Sequence, residues 1–112
     1  MTQTADHHES LLRRLVDAEP SARLTELRSH GDPARLLPEL TTAAGQAIGR
    51  DTALALSWTR LVIDLAEQAD EHRVALDARR AHVRALAYAG QYQEALAACG
   101  QGVADARRLG FA

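Results

Sequence analysis

The chain has no lysine: all 13 of its permanently basic residues are arginine. That absence removes the lysine of a phosphate-binding loop and any lysine able to form a Schiff base. There is one cysteine, Cys99, which excludes an internal disulfide and a four-thiolate zinc site. Aromatic residues make up 4% of the chain, and runs of strand-favouring residues are missing, so a sheet has little to form from. No apolar run approaches the ~18 uncharged residues of a membrane span. The first ten residues are polar and acidic rather than basic and apolar, unlike a signal peptide. These features predict a cytoplasmic protein. The formal net charge of −2 provides no strongly basic surface, so general binding to nucleic acid is not expected. Abundant Arg and Ala without Lys is the mark of GC-rich coding sequence and points to a bacterial source.

Catalytic patterns are also scarce. The histidines are His7, His8, His30, His72 and His82, and no two lie four apart. The serines Ser10, Ser21, Ser29 and Ser57 sit in no nucleophile-elbow context. Gly100-Gln101-Gly102 falls inside a helical pattern and follows no strand, which argues against a dinucleotide site. His7-His8-Glu9 contains metal-ligating types, but histidines near a chain end are more simply solvated. No cofactor or metal is expected.

What is present is alanine and leucine at helical spacing, in a chain of 112 residues that suits one all-α domain. Residues 1–6 read as a flexible tail. A first helix is predicted over about His7–Ala18, with Leu11, Leu12, Leu15 and Val16 inward, stopped by Glu19-Pro20. Ser21 is expected to cap a short second helix ending at Gly31. Asp32-Pro33 is a start signal for a third helix to about Ile48, with Pro38 predicting a kink or a late start near Leu37. Asp51 is expected to cap a fourth helix to about Asp70. Its Leu54, Leu56, Trp58, Leu61, Val62, Ile63 and Leu65 cover more than one face, as in a central helix. Nothing at Asp70-Glu71-His72 breaks a helix strongly. One helix from Asp51 to Ala89 would be about 58 Å long, too long for this domain, so a break is placed near His72.

The stretch Arg73–Gly110 reads as a hairpin of two helices turning at Gly90-Gln91. Ala75, Ala78, His82, Ala85, Leu86 and Ala89 share one face of the first helix. Tyr92, Ala95, Leu96, Cys99, Val103 and Ala106 share one face of the second. On that stripe Cys99 is expected as a small buried residue, and His82 as a hydrogen-bonded core histidine. The expected layout is a tail over 1–6, capping helices over 7–31, one hairpin over 32–71 and another over 72–112.

The run Ala89-Gly90-Gln91-Tyr92-Gln93-Glu94-Ala95-Leu96 resembles the central turn of a tetratricopeptide repeat. The likeness covers about one repeat well and a second weakly. His82-Val83 stands where Leu-Gly is usual, Gly102 where a late alanine is usual, and the closing proline is absent. At an offset of 41, Gly49 meets Gly90, Val62 meets Val103 and Asp64 meets Asp105. At an offset of 42, Ala53-Leu54-Ala55 meets Ala95-Leu96-Ala97. The unit of about 41 residues is longer than the usual ~34. The resemblance implies antiparallel helical hairpins stacked as a short right-handed solenoid of about six helices. Longer hairpins of this kind are similar to those in large bacterial regulators and ahead of caspase-like peptidase domains.

One constellation could carry recognition chemistry. Asp77, Arg80, Arg84 and Tyr88 lie at spacings of three, four and four, on one helix face offset from the apolar stripe. Two arginines one turn apart can hold a carboxylate. Against this stands a plain solvated face with an internal Asp–Arg charge network. By resemblance these positions line the repeat groove, with Glu39, Ala43 and Gln46 as their counterparts in the preceding hairpin. The expected function is a non-enzymatic interaction scaffold binding a protein or peptide partner, expected to be acidic. The alternative is an N-terminal regulatory or oligomerisation fragment of a larger enzyme or transcriptional regulator. A DNA-reading helix at 34–48 is disfavoured, because it offers only Arg35. The last helix carries small residues and an apolar stripe, so Cys99, Gly102 and Val103 are expected at an edge covered by a second copy or a further repeat.

Overall fold

Six α-helices and one short 3-10 turn make up the described chain. The structure is a computed structural model. It describes residues 3–110, with the side chains of 7–101, 103, 104, 107, 108 and 110. The helices are α1 (Gln3–Asp17), α2 (Arg23–His30), α3 (Pro33–Gln46), α4 (Thr52–Gln68), α5 (His72–Tyr88) and α6 (Tyr92–Leu109). No strand occurs among the described residues.

Helix α1 starts at Gln3, before the expected His7, so its backbone takes in part of the segment read as a tail. Nothing in the sequence of this stretch opposes a helix. Leu11, Leu12 and Leu15 are buried as expected. The α1–α2 turn departs from the sequence reading. Pro20–Ala22 form a 3-10 turn, and α2 begins at Arg23 without a side-chain cap, so Ser21 does not cap it. Arg23 is used instead: its Nε donates to the Leu15 carbonyl at 2.8 Å and its Nη2 to the Val16 carbonyl at 2.9 Å. Those carbonyls lie at the C-terminus of α1, where acceptors are otherwise orphaned.

The aspartate caps are present as read. Asp32 accepts from the Ala34 N–H at 3.0 Å, and Asp51 from the Leu54 N–H at 3.1 Å. Helix α3 starts at Pro33 and runs through Pro38, so the late start near Leu37 is not seen. Pro38 is exposed, on the side of α3 away from the buried Leu36, Leu37, Leu40, Ala43 and Ala44.

The break near His72 is real and has a local cause. Asp70 adopts a left-handed conformation, with φ 59°. The Glu71 N–H donates to the Ala66 carbonyl at 2.8 Å and the Asp70 N–H to the Glu67 carbonyl at 3.2 Å. This is the paired bond pattern of a Schellman stop. The α5–α6 turn repeats it, with Gln91 N–H to Leu86 O at 2.9 Å, Gly90 N–H to Ala87 O at 3.0 Å, and Gly90 at φ 78°.

Helix α4 is the centre. It packs against α1, α2, α3 and α5, and buries Ala55, Trp58, Thr59, Leu61, Val62, Ile63, Leu65 and Ala66. Trp58 is fully buried, with the Arg13 guanidinium 5.7 Å from its ring centroid. Helix α5 packs against α3, α4 and α6, and α6 rests chiefly on α5. The Cα radius of gyration is 13.5 Å, with extents of 33 × 31 × 28 Å. Among the described residues, no helix is long and apolar enough to cross a membrane.

Two expectations for α6 need correction. Of the stripe that shares one face, Ala95 is buried, while Tyr92, Leu96, Cys99 and Val103 are exposed. Cys99 is therefore not a buried core residue. The reason is rotational: Ala95 and the half-buried Ala98 meet α5, and the apolar stripe lies to one side of that contact. The calls on Gly102, Ala106 and Leu109 concern side chains outside the described residues.

Candidate functional site

Helices α3 and α5 run side by side, and an open cleft of about 700 Å³ lies between them. Thr41, Thr42, Gly45 and Gln46 line it from α3, and Asp77, Arg80, Ala81 and Arg84 from α5. On α5 the spacings of three, four and seven put this set on one face. Opposite it, Thr41/Gly45 and Thr42/Gln46 are two pairs four residues apart. The leucine stripe of α3 takes the core side, which turns these small and polar positions toward α5.

The two arginines differ in their surroundings. Arg80 Nη1 lies 3.5 Å from Asp77 Oδ1 in an exposed pair. Arg84 has no hydrogen-bond or ion-pair partner among the described residues. Its guanidinium lies against Gly45: a Cβ built there would sit 3.4 Å from Arg84 Nη2. That is ordinary van der Waals contact, so the guanidinium lies close to α3 at Gly45 without requiring a glycine there. On the other wall, Thr41 Oγ1 donates to the Leu37 carbonyl at 2.8 Å and Thr42 Oγ1 to the Pro38 carbonyl at 3.2 Å. Their protons are committed, so both hydroxyls face a ligand as acceptors.

Three of the four residues predicted on α5, Asp77, Arg80 and Arg84, are brought together at the cleft. Tyr88 is not; it lies one turn beyond, 70% exposed. The counterparts named on α3 are mostly misplaced. Gln46 lines the cleft, but Ala43 is in the core, and Glu39 pairs with His8 at 2.9 Å and Arg35 at 3.9 Å. Thr41, Thr42, Gly45 and Ala81 were missed. The signal for the α3 set was available as a small and polar stripe, out of phase with Leu36, Leu37 and Leu40.

No histidine lines the cleft, and one is held in the core. His82 is buried, and its Nδ1 lies 2.7 Å from Thr59 Oγ1 on α4. The Thr59 hydroxyl also lies 2.8 Å from the Ala55 carbonyl. With its one proton given to that carbonyl, it accepts from the Nδ1–H tautomer of His82. Burial lowers the His82 pKa below its ordinary value, helped by the Arg60 and Arg79 charges and opposed by Glu94. His8 is tied to Glu39 rather than simply solvated, and Glu9 pairs with Arg50 at 3.1 Å. No group of three metal-ligating side chains occurs among the described residues.

No family model matches this chain, and neither a curated protein nor a solved structure matches it significantly.

Proposed function

We propose that this chain is a non-enzymatic protein–protein interaction scaffold, whose α3–α5 cleft receives an extended acidic segment of a partner. The observation that carries this reading is Arg84, a guanidinium without a partner among the described residues, set over a glycine in an open cleft. Arg84 is exposed and hydrated there, and a carboxylate replaces that water with a charge-assisted partner. The Thr41 and Thr42 hydroxyls add acceptors for the backbone N–H groups of an extended chain. The architecture we infer is tetratricopeptide-like: α3/α4 and α5/α6 as stacked antiparallel hairpins, with α1 and α2 as a cap. The packing of α5 on both α3 and α4 supports it, as the first helix of one hairpin meets both helices of the preceding one. Fluorescence anisotropy with a labelled glutamate-containing peptide tests the function. Binding should weaken on Arg84→Gln with the circular dichroism spectrum unchanged; equal binding refutes the reading.

A second reading, a regulatory or oligomerisation fragment of a larger enzyme or regulator, rests on a different observation. Tyr92, Leu96, Cys99 and Val103 form an exposed apolar strip along α6. Light scattering of the purified chain separates the two: a dimer lost on Leu96→Glu favours the second, and a monomer at all concentrations the first.

A further inference from the structure

Resting on the cleft reading above, we propose that Asp77 is a specificity-determining residue of the cleft. It holds Arg80 and leaves Arg84 as the seat for one carboxylate of the bound segment.

The argument is one of charge and spacing. Three charged side chains line the cleft, Asp77, Arg80 and Arg84. Asp77 and Arg80 pair across one turn of α5, so one of the two cations is already answered from within. Arg84 has no such partner among the described residues, and its exposed guanidinium lies close to Gly45 on the facing helix. Arg80 keeps further N–H donors, but a second ligand carboxylate seated on them lies beside the negative charge of Asp77. The wild-type cleft therefore reads one acidic side chain. With Asp77 neutral it reads two, at a spacing fixed by the helix. Arg80 and Arg84 are one turn apart, about 6 Å along the axis. Alternate residues of an extended strand are about 6.6 Å apart and point the same way. The two-carboxylate ligand of the variant is therefore an extended Glu-x-Glu segment.

The test is anisotropy with fluorescein-capped, C-amidated Gly/Ser octapeptides carrying no glutamate, one glutamate, or Glu-x-Glu. Wild type should bind the last two within about twofold. Asp77→Asn should favour Glu-x-Glu over the single glutamate by about two- to fivefold, the scale of an exposed ion pair. Arg80→Gln should remove that preference from the Asp77→Asn protein. An unchanged ratio in Asp77→Asn overturns the proposal, even if Arg84→Gln weakens every acidic peptide and so leaves the cleft reading standing. If Arg84→Gln changes nothing, or no acidic peptide binds wild type, both fall together. A free-acid peptide without glutamate serves as the last arm. If it binds as tightly as the single-glutamate peptide, the seat belongs to a chain end, and the side-chain assignment is overturned.

Discussion

Replacing Thr59 by valine removes one hydroxyl from the α4–α5 contact and changes almost nothing in volume. In the native protein that hydroxyl joins the two helices through His82 Nδ1 at 2.7 Å, with both residues buried. The valine leaves the imidazole N–H without an acceptor, which costs about 1–3 kcal/mol. At ~2.1 cal/mol/K of unfolding entropy per residue, a chain of 112 residues loses about 4 °C of Tm for each kcal/mol. The expected drop is thus about 4–12 °C in a thermal melt followed by circular dichroism. Pairing Thr59→Val with His82→Leu should recover part of the loss, because both polar groups are then gone. The same histidine gives a pH signature. Its folded pKa is lowered, so between the folded and unfolded values the unfolded chain binds more protons. Stability therefore rises with pH there: the contribution is complete above the unfolded value near 6.5 and is lost as pH falls through the folded value. His82→Gln should flatten that part of the profile relative to wild type. A melt unchanged by Thr59→Val, or a pH profile untouched by His82→Gln, would refute the buried pair as described.

Trp58→Ala should cost about 3–5 kcal/mol in a denaturant titration, since it empties the largest fully buried site of the central helix; an unchanged midpoint would remove α4 from the centre. Asp70→Gly should raise stability by about 0.5–1 kcal/mol, because glycine adopts the left-handed turn at φ 59° without the Cβ clash. Leu96→Gln should leave the Tm of a monomeric preparation unchanged, as Leu96 is 69% exposed; a concentration-dependent loss would instead reveal that the strip is covered in solution.

The helix count and the central place of α4 were legible because they follow from apolar periodicity and from carboxylate caps. Trp58, Leu61 and Val62 repeat at helical spacing, and Asp32 and Asp51 stand where first-turn amides need acceptors. The α4–α5 break was legible only through length. Its device is an aspartate in a glycine-type conformation, and no composition rule separates that aspartate from one on a helix surface. The α1–α2 corner was misread because Pro20–Ala22 close into a 3-10 turn, which puts Ser21 inside the corner and Ala22 at the start of α2. On the cleft, one wall was readable from the arginine spacing. The other wall was not, because a register carried across from a loose repeat missed the phase set by the leucines of α3. On α6, Cys99 was read both as a buried small residue and as part of an edge, because periodicity gives a stripe but not its direction.

The attachment of α6 to essentially one neighbour has a consequence for how the molecule opens. Local unfolding follows the number of partners an element must leave, and the units that open first are those with the fewest. Helix α6 has to part only from α5, across the Gly90 hinge, whereas α4 cannot leave without dismantling four contacts at once. In native-state hydrogen exchange, amides of 92–109 should report a sub-global opening well below the free energy reported by α4. The cleft walls belong to the slower unit, since α3 and α5 are both held by α4. Shedding the last helix therefore uncovers a flank of α5 while the α3–α5 cleft keeps its shape.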